Sequence, residues 1–344
     1  MKVGLIGHRG AGKTTIFNML TGLQAHVGGF GAKEGVHLGV IKVPDARIDK
    51  LAQIFKPKKT TYAEIHFTDF PASETEENLK PNNALLTQMR EVDAIALVLR
   101  DFDDDTHPLK ELNDLLTEMI LTDLAVVENR RSRLKKEKAR PLEESFLERC
   151  AKALENEQSL RNVTFTADEE NLASGFGFLS RKPLLVILNQ AENQAGQPLD
   201  PAFQAELQRR GLRGLALAGK AEMEIAQLEE ADRMAFLREI GIEEPARDRF
   251  IRISYALMNL ISFFTTGEDE VRAWTITQGT VAKKAAGKIH SDIERGFIRA
   301  EVVEYDDFIV HGSEAKCKEA GKLRLEGKDY VVRDGDIIHF RFAV

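Results

Sequence analysis

The chain has 344 residues, 43% of them hydrophobic and 30% charged, with a formal net charge of -7. That length supports two or three domains with sizeable cores, and the acidic balance excludes a protein that coats nucleic acid nonspecifically, while leaving room for local basic patches. No apolar run approaches the roughly 18 residues of a membrane span, and the N-terminus enters a strand directly without a charged leader, so a cytoplasmic protein with no membrane partner is expected. Cys150 and Cys317 lie far apart without metal-ligand spacing, which argues against a disulfide framework and against a zinc site.

In chain order, Lys2 to Ile6 reads as a buried strand that runs into Gly7-His-Arg-Gly-Ala-Gly-Lys-Thr14, the G-x-x-x-x-G-K-[ST] phosphate cradle. Gly7, Gly10 and Gly12 let consecutive N–H groups converge on phosphate oxygens at a helix N-terminus, and the backbone from Arg9 through Gly10, Ala11, Gly12, Lys13 and Thr14 to Thr15 is the expected nucleotide cradle. Lys13 is expected to stabilise charge on the transferred phosphoryl group, and Thr14 to place its hydroxyl on a Mg2+ ion. Ile16, Phe17 and Leu20 share a face of the following helix, which Gly22 can cap. The glycine-rich stretch from His26 to Gly39 reads as a loop before a strand at Val40 to Val43. Ala63 to Phe70 alternates as a strand and ends in Asp69, the expected acidic partner of the same metal. Ala94 to Leu99 and Leu184 to Leu188 are continuous apolar runs, as parallel strands covered on both faces should be.

Between those two strands a charged region from Lys110 to about Asn162 reads as a helical hairpin. Ile120, Leu124, Val127, Arg131 and Leu134 form a coiled-coil-like seam, and Leu147, Cys150 and Leu154 resume it after Pro141. Its basic run (Arg130, Arg131, Arg133, Lys135, Lys136, Lys138, Arg140) is compatible with a phosphate-backbone contact and equally with a solvated tip, since Glu128 and Glu137 interleave. Glu222 to about Leu260 reads as helical with a break at Gly241 to Pro245. From Val271 short strands follow at Ala273 to Ile276, Phe297 to Val302, Tyr330 to Val332 and Ile337 to Phe342. Residues 261–344 carry 13 basic and 15 acidic side chains, so protein or structured RNA suits this small α+β module better than nonspecific RNA.

The strand at Leu184 to Leu188 leads into Asn189-Gln-Ala-Glu192, where a guanine-specific protein carries N-K-x-D. The longer Glu192 and the loss of the stacking lysine to Gln190 weaken a guanine clamp and make ATP credible, with Ala218 and Gly219 following where backbone amides approach the base. With these motifs in place the chain resembles, over essentially its whole length, the YchF or Ola-type family of Obg-related P-loop NTPases. The segments that carry the likeness are Gly7 to Thr14, Val43 to Asp49, Asn189 to Glu192, Glu270 to Ile276, His290 to Asp292, Gly296 to Glu301 and Glu326 to Tyr330.

The resemblance implies an α/β nucleotide-binding domain with a mostly parallel sheet (1–108 and 176–260), an inserted α-helical coiled-coil hairpin (109–175) and a C-terminal α+β TGS, ubiquitin-like domain (261–344). It also implies a slow, Mg2+-dependent ATPase that prefers ATP to GTP and works with ribosomes or translation factors. Several residues depart from the family pattern. Gly10 stands where relatives carry an asparagine linked to a monovalent cation, Lys33 where a switch threonine is expected, and Pro71 and Ala72 within what is otherwise D-x-x-G. These keep open a second reading, a nucleotide-binding switch or scaffold with negligible hydrolysis. A small-molecule kinase, the third reading, has no account of the C-terminal module. By position, the resemblance makes His107 the candidate to orient the attacking water, with an ordinary surface histidine as the alternative.

Overall fold

A computed structural model describes residues 1–25, 36–71, 83–137 and 140–343, apart from the side chains of residues 83, 84 and 230. Lys33, Ala72, Lys138 and most of the loop expected from His26 lie outside the described residues. The elements up to the first sheet's midpoint are β1 (Lys2–Ile6), α1 (Lys13–Thr21), β2 (His37–Lys42), α2 (Ala46–Phe55), β3 (Lys59–Thr61), β4 (Glu64–Asp69), α3 (Asn83–Glu91) and β5 (Ala94–Asp101). There follow α4 (Pro108–Leu134), α5 (Pro141–Glu155), α6 (Ala167–Phe176), β6 (Leu184–Gln190), α7 (Pro201–Arg209), β7 (Arg213–Leu217), α8 (Gly219–Ala226), α9 (Glu230–Glu239) and α10 (Ala246–Leu257). The chain divides into two compact units, one of Met1–Val40 with His66–Phe250, the other of Ile41–Ile65 with the chain from Ile251 onward.

The first sheet has the order β2-β4-β1-β5-β6-β7, and β1 pairs in parallel with both β4 and β5, as β6 does with β5 and β7. The expected α/β architecture is present. Every residue of β6 is buried, which matches its unbroken apolar run. Ile95, Leu97 and Leu99 of β5 and Leu184, Val186 and Leu188 of β6 pack with Leu112, Leu115 and Met119 of α4 and with Phe203 and Leu207 of α7. Register sets Leu5 opposite Asp69 and Asn189 opposite Leu217. The chain therefore leaves β1, β4, β6 and β7 on the same carboxyl edge, where open parallel sheets bind their ligands.

Helices α4 and α5 form a hairpin, with Ile120 and Val127 packed among Phe146, Leu147, Cys150 and Leu154 and with Leu124 and Leu134 partly buried beside them. The basic run beyond the seam is partly neutralised from within. Arg130 donates to Glu143 at 2.6 Å and to Glu137 at 3.0 Å, and Arg140 reaches Glu143 at 3.4 Å. At the hairpin's base, the fully buried Asp123 accepts from the backbone N–H groups of Leu179 and Ser180 at 3.0 and 2.7 Å, which ties α4 to the chain entering β6.

The second unit continues with β8 (Leu260–Thr265), β9 (Glu270–Thr277), α11 (Ala282–Ile289), α12 (Ser291–Arg295), β10 (Phe297–Glu304), α13 (Tyr305–His311), α14 (Glu314–Glu319), β11 (Arg324–Glu326) and β12 (Asp336–Phe342). Its mixed sheet runs β11-β10-β12-β8-β9-β3. Three details differ from the sequence reading. Leu260, expected to end a helix, begins β8 because Ile261 and Phe263 fill the core beside Ile276 and Phe340. Tyr330 to Val332 makes a lone bridge from Val331 to Val281 instead of a strand, with the Tyr330 hydroxyl donating to Asp336 at 2.8 Å. Residues 41–65, expected within the nucleotide-binding part, pack in the second unit. There β3 pairs in parallel with β9, Arg47 of α2 donates to Asp334 at 2.8 Å and lies over Phe264, and Phe55 stacks on Phe308.

Candidate functional site

The phosphate cradle forms where β1 ends. Gly10 and Gly12 have φ of 79° and 86°, left-handed values that side chains disfavour, and α1 starts at Lys13. Gly7 is required for a different reason, since a Cβ there would stand 2.3 Å from the carbonyl oxygen of Val98. Lys13 is only 8% exposed and donates through Nζ to the carbonyls of Gly7 and His8 at 3.0 and 3.1 Å. Its ammonium is thus held inside the loop whose phosphate it is expected to meet. Arg9 and Gly10 form the exposed rim, while Thr14 and Thr15 follow on the first helical turn.

Thr14 and Asp69, expected to share a metal ion, lie together. The Thr14 hydroxyl donates to Asp69 Oδ2 at 2.8 Å, and Asp69 is 3% exposed. Its other oxygen, Oδ1, is buried without a hydrogen-bond partner among the described residues. A buried carboxylate oxygen left open beside a threonine hydroxyl is a donor set that suits a hard cation such as Mg2+. The same Oδ2 also faces His37 Nδ1 at 3.2 Å, a contact not legible from sequence, because His37 sits at the end of a glycine-rich stretch without periodicity.

Asn189 joins the cradle to the far end of the site. Its Nδ2 donates to the Ala11 carbonyl at 3.0 Å and its Oδ1 accepts from Gly219 N–H at 3.1 Å. The fit is close on both sides, since a Cβ on Gly12 or on Gly219 would come within 2.2 or 2.5 Å of that side chain. Ala218 N–H donates to the buried Glu222 at 3.1 Å, and Arg249 pairs with the same carboxylate. Burial pushes the Glu222 carboxyl above the usual carboxylate range, against the pull of Arg249. Glu222 and Arg249 are supports that sequence reasoning missed, although Glu222 stands four residues after Ala218, at helical spacing.

The rest of the base end is looser. Glu192 is exposed in the short turn Glu192–Gln194, and Gln190 is buried with Nε2 3.4 Å from Asp101. His107 stands just before α4, 73% exposed, with its ring 3.8 Å from Asp105 rather than against a cradle residue. Pro71 follows the buried Phe70 and offers no N–H to a γ-phosphate.

A parallel sheet whose first strand opens into this lysine-threonine cradle, with Asp69 and Asn189 on neighbouring strand ends, is the fold and site of a P-loop NTPase. Residues 2–130 match the family model MMR_HSR1, described as a 50S ribosome-binding GTPase, and residues 260–343 match YchF-GTPase_C, described as a protein of unknown function (DUF933). The proteins called Ribosome-binding ATPase YchF from Bacillus subtilis (strain 168) and Pasteurella multocida (strain Pm70) are 38% and 39% identical to it, with 100% of this chain and 100% and 99% of theirs aligned. The solved structure titled as the YchF GTPase of Schizosaccharomyces pombe superposes with a TM-score of 0.83 at 28% identity, covering 99% of this chain and 97% of that one. The chain belongs to the YchF family. Among the described residues no helix is long and apolar enough to cross a membrane.

Proposed function

We propose that this protein binds a nucleoside triphosphate with Mg2+, hydrolyses it slowly with ATP preferred over GTP, and acts on the ribosome in the cytoplasm. The observation that carries the reading is the Thr14 to Asp69 hydrogen bond of 2.8 Å, with Asp69 Oδ1 left open and Lys13 buried in the adjoining loop. Thr14 and Asp69 would hold the metal, whose contribution is to neutralise charge on the phosphates. The backbone from Arg9 to Thr15 binds the phosphate chain, and Lys13 leaves the carbonyls of Gly7 and His8 to meet it. Asn189 fixes the cradle against the Ala218–Gly219 turn, and Glu192 would meet the base edge. His107, exposed just before α4, would orient the attacking water. The ribosome enters through the names of full-length relatives, and exposed Arg133, Lys135 and Lys136 on the hairpin are compatible with structured RNA. The hairpin and the C-terminal unit are read as the family's coiled coil and TGS module.

A switch without turnover is the competing reading, favoured by Pro71, which removes an amide where the γ-phosphate would be sensed. Phosphate release separates the two readings. Wild-type protein with ATP should release phosphate above the Lys13→Ala background, more so with ribosomes, and release equal to that background in every arm would refute the enzyme. Calorimetry with Mg-ATP against Mg-GTP tests the base preference, and tighter GTP binding would overturn it.

A further inference from the structure

His37, the first residue of β2, has no task in the reading above. Its Nδ1 lies 3.2 Å from Asp69 Oδ2, the oxygen that also accepts from Thr14 at 2.8 Å. A carboxylate only accepts, so the ring donates and Nδ1 carries the hydrogen. The ring is steadied in turn, with its centroid 6.1 Å from that of the fully buried Phe17 on α1. The two oxygens of Asp69 are therefore unequal. Oδ2 takes donors from two elements, α1 and β2, while Oδ1 is buried without a partner among the described residues. A carboxyl group held by two donors on one oxygen cannot turn about its Cβ–Cγ bond without losing both, and this leaves the other oxygen in a fixed place.

We infer that His37 is a positioning residue for the metal: by donating Nδ1–H to Asp69 Oδ2 it holds Asp69 Oδ1 free for the coordination shell of nucleotide-bound Mg2+. The inference rests on the magnesium reading of Thr14 and Asp69 given above. Outer partners of metal-binding carboxylates fix ligand orientation, and their loss typically costs about 10- to 100-fold in metal affinity. Thr14 alone is a weaker constraint, because a single hydrogen bond leaves the carboxyl free to pivot around it. His37 adds the second point of attachment, from the first residue of β2.

The test follows dissociation of a fluorescent N-methylanthraniloyl ATP from full-length wild type and from His37→Leu, His37→Gln and His37→Asn, over a range of free Mg2+ and with excess chelator. The expected result is that His37→Leu raises the Mg2+ concentration for half-maximal retention by about tenfold or more. Its dissociation rate in chelator should match wild type, which also reports that the variant is folded. At least one of the amide variants, which restore an N–H donor, should recover most of the Mg2+ dependence, an outcome a merely structural role would not produce. A half-point for His37→Leu within twofold of wild type overturns the inference while leaving the magnesium reading intact. Wild-type retention indifferent to Mg2+ and to chelator overturns both.

Discussion

The two ends of the nucleotide site are built differently. At the phosphate end Lys13, Asp69 and Asn189 are all buried, and each is held by at least one hydrogen bond to a neighbouring element or to the loop itself. At the base end Glu192 is exposed and Gln190 is turned to Asp101, so the groups that should choose between adenine and guanine are the less constrained. Preorganised groups lose little on binding, whereas an exposed carboxylate exchanges water for base at small net gain. Affinity should therefore reside in the phosphates and selectivity should be shallow.

Lys13→Ala is the most severe way to break that contrast. Removing a charged donor from two or more phosphate contacts, at about 1.5–3 kcal/mol each, should weaken triphosphate binding on the order of 100-fold or more. Calorimetry with Mg-ATP reads it directly, and a change under tenfold would mean that the phosphates are held elsewhere. Asn189→Ala comes next. It strands the Ala11 carbonyl and the Gly219 N–H together, and an unsatisfied buried group costs about 1–3 kcal/mol. Urea unfolding should show a loss of about 2 kcal/mol or more, with weaker ATP binding beside it. Stability equal to wild type would show that the link between cradle and base end is dispensable.

Much of the phosphate end was legible because its chemistry is local. Gly7, Gly10, Gly12, Lys13 and Thr14 lie within eight residues, and their spacing already specifies strand, loop and helix. Asp69 was readable from its place at the tip of an alternating strand. What escaped was non-local. The approach of His37 to Asp69 depends on the pairing of β2 beside β4, and Arg249 reaches Glu222 across 27 positions. The fate of residues 41–65 was hidden for the same reason. Arg47 and Asp334 are separated by 287 positions, and β3 is only three residues long, too short for a periodic signal. The hairpin seam was readable from its periodicity, whereas the pairing of Arg130 with Glu143 depends on how the turn brings the two helices together.

Glu192→Ala sharpens the comparison from its weak side. An exposed hydrogen bond is worth about 0.5–1.5 kcal/mol, so the ratio of ATP to GTP affinity should move by less than about tenfold while binding of inorganic triphosphate stays constant. A larger shift would mean that the base end closes on its ligand more firmly than it stands here.

Asp101→Asn should have the smallest effect and a distinctive pH dependence. Burial raises the Asp101 carboxyl above its ordinary 3.8, against the hydrogen bonds from Gln190 and Thr106. Just above that ordinary value the native state holds a proton that the unfolded chain has released. Stability therefore falls as pH rises through the window and is regained as pH falls back through it. The asparagine variant has no such proton, so its melting temperature relative to wild type should improve as pH rises above the ordinary carboxylate value. A difference that stays flat, or that runs the other way, would show that Asp101 is ionised throughout and that Gln190 is held by a charge; the base end would then be more firmly anchored than its exposure suggests.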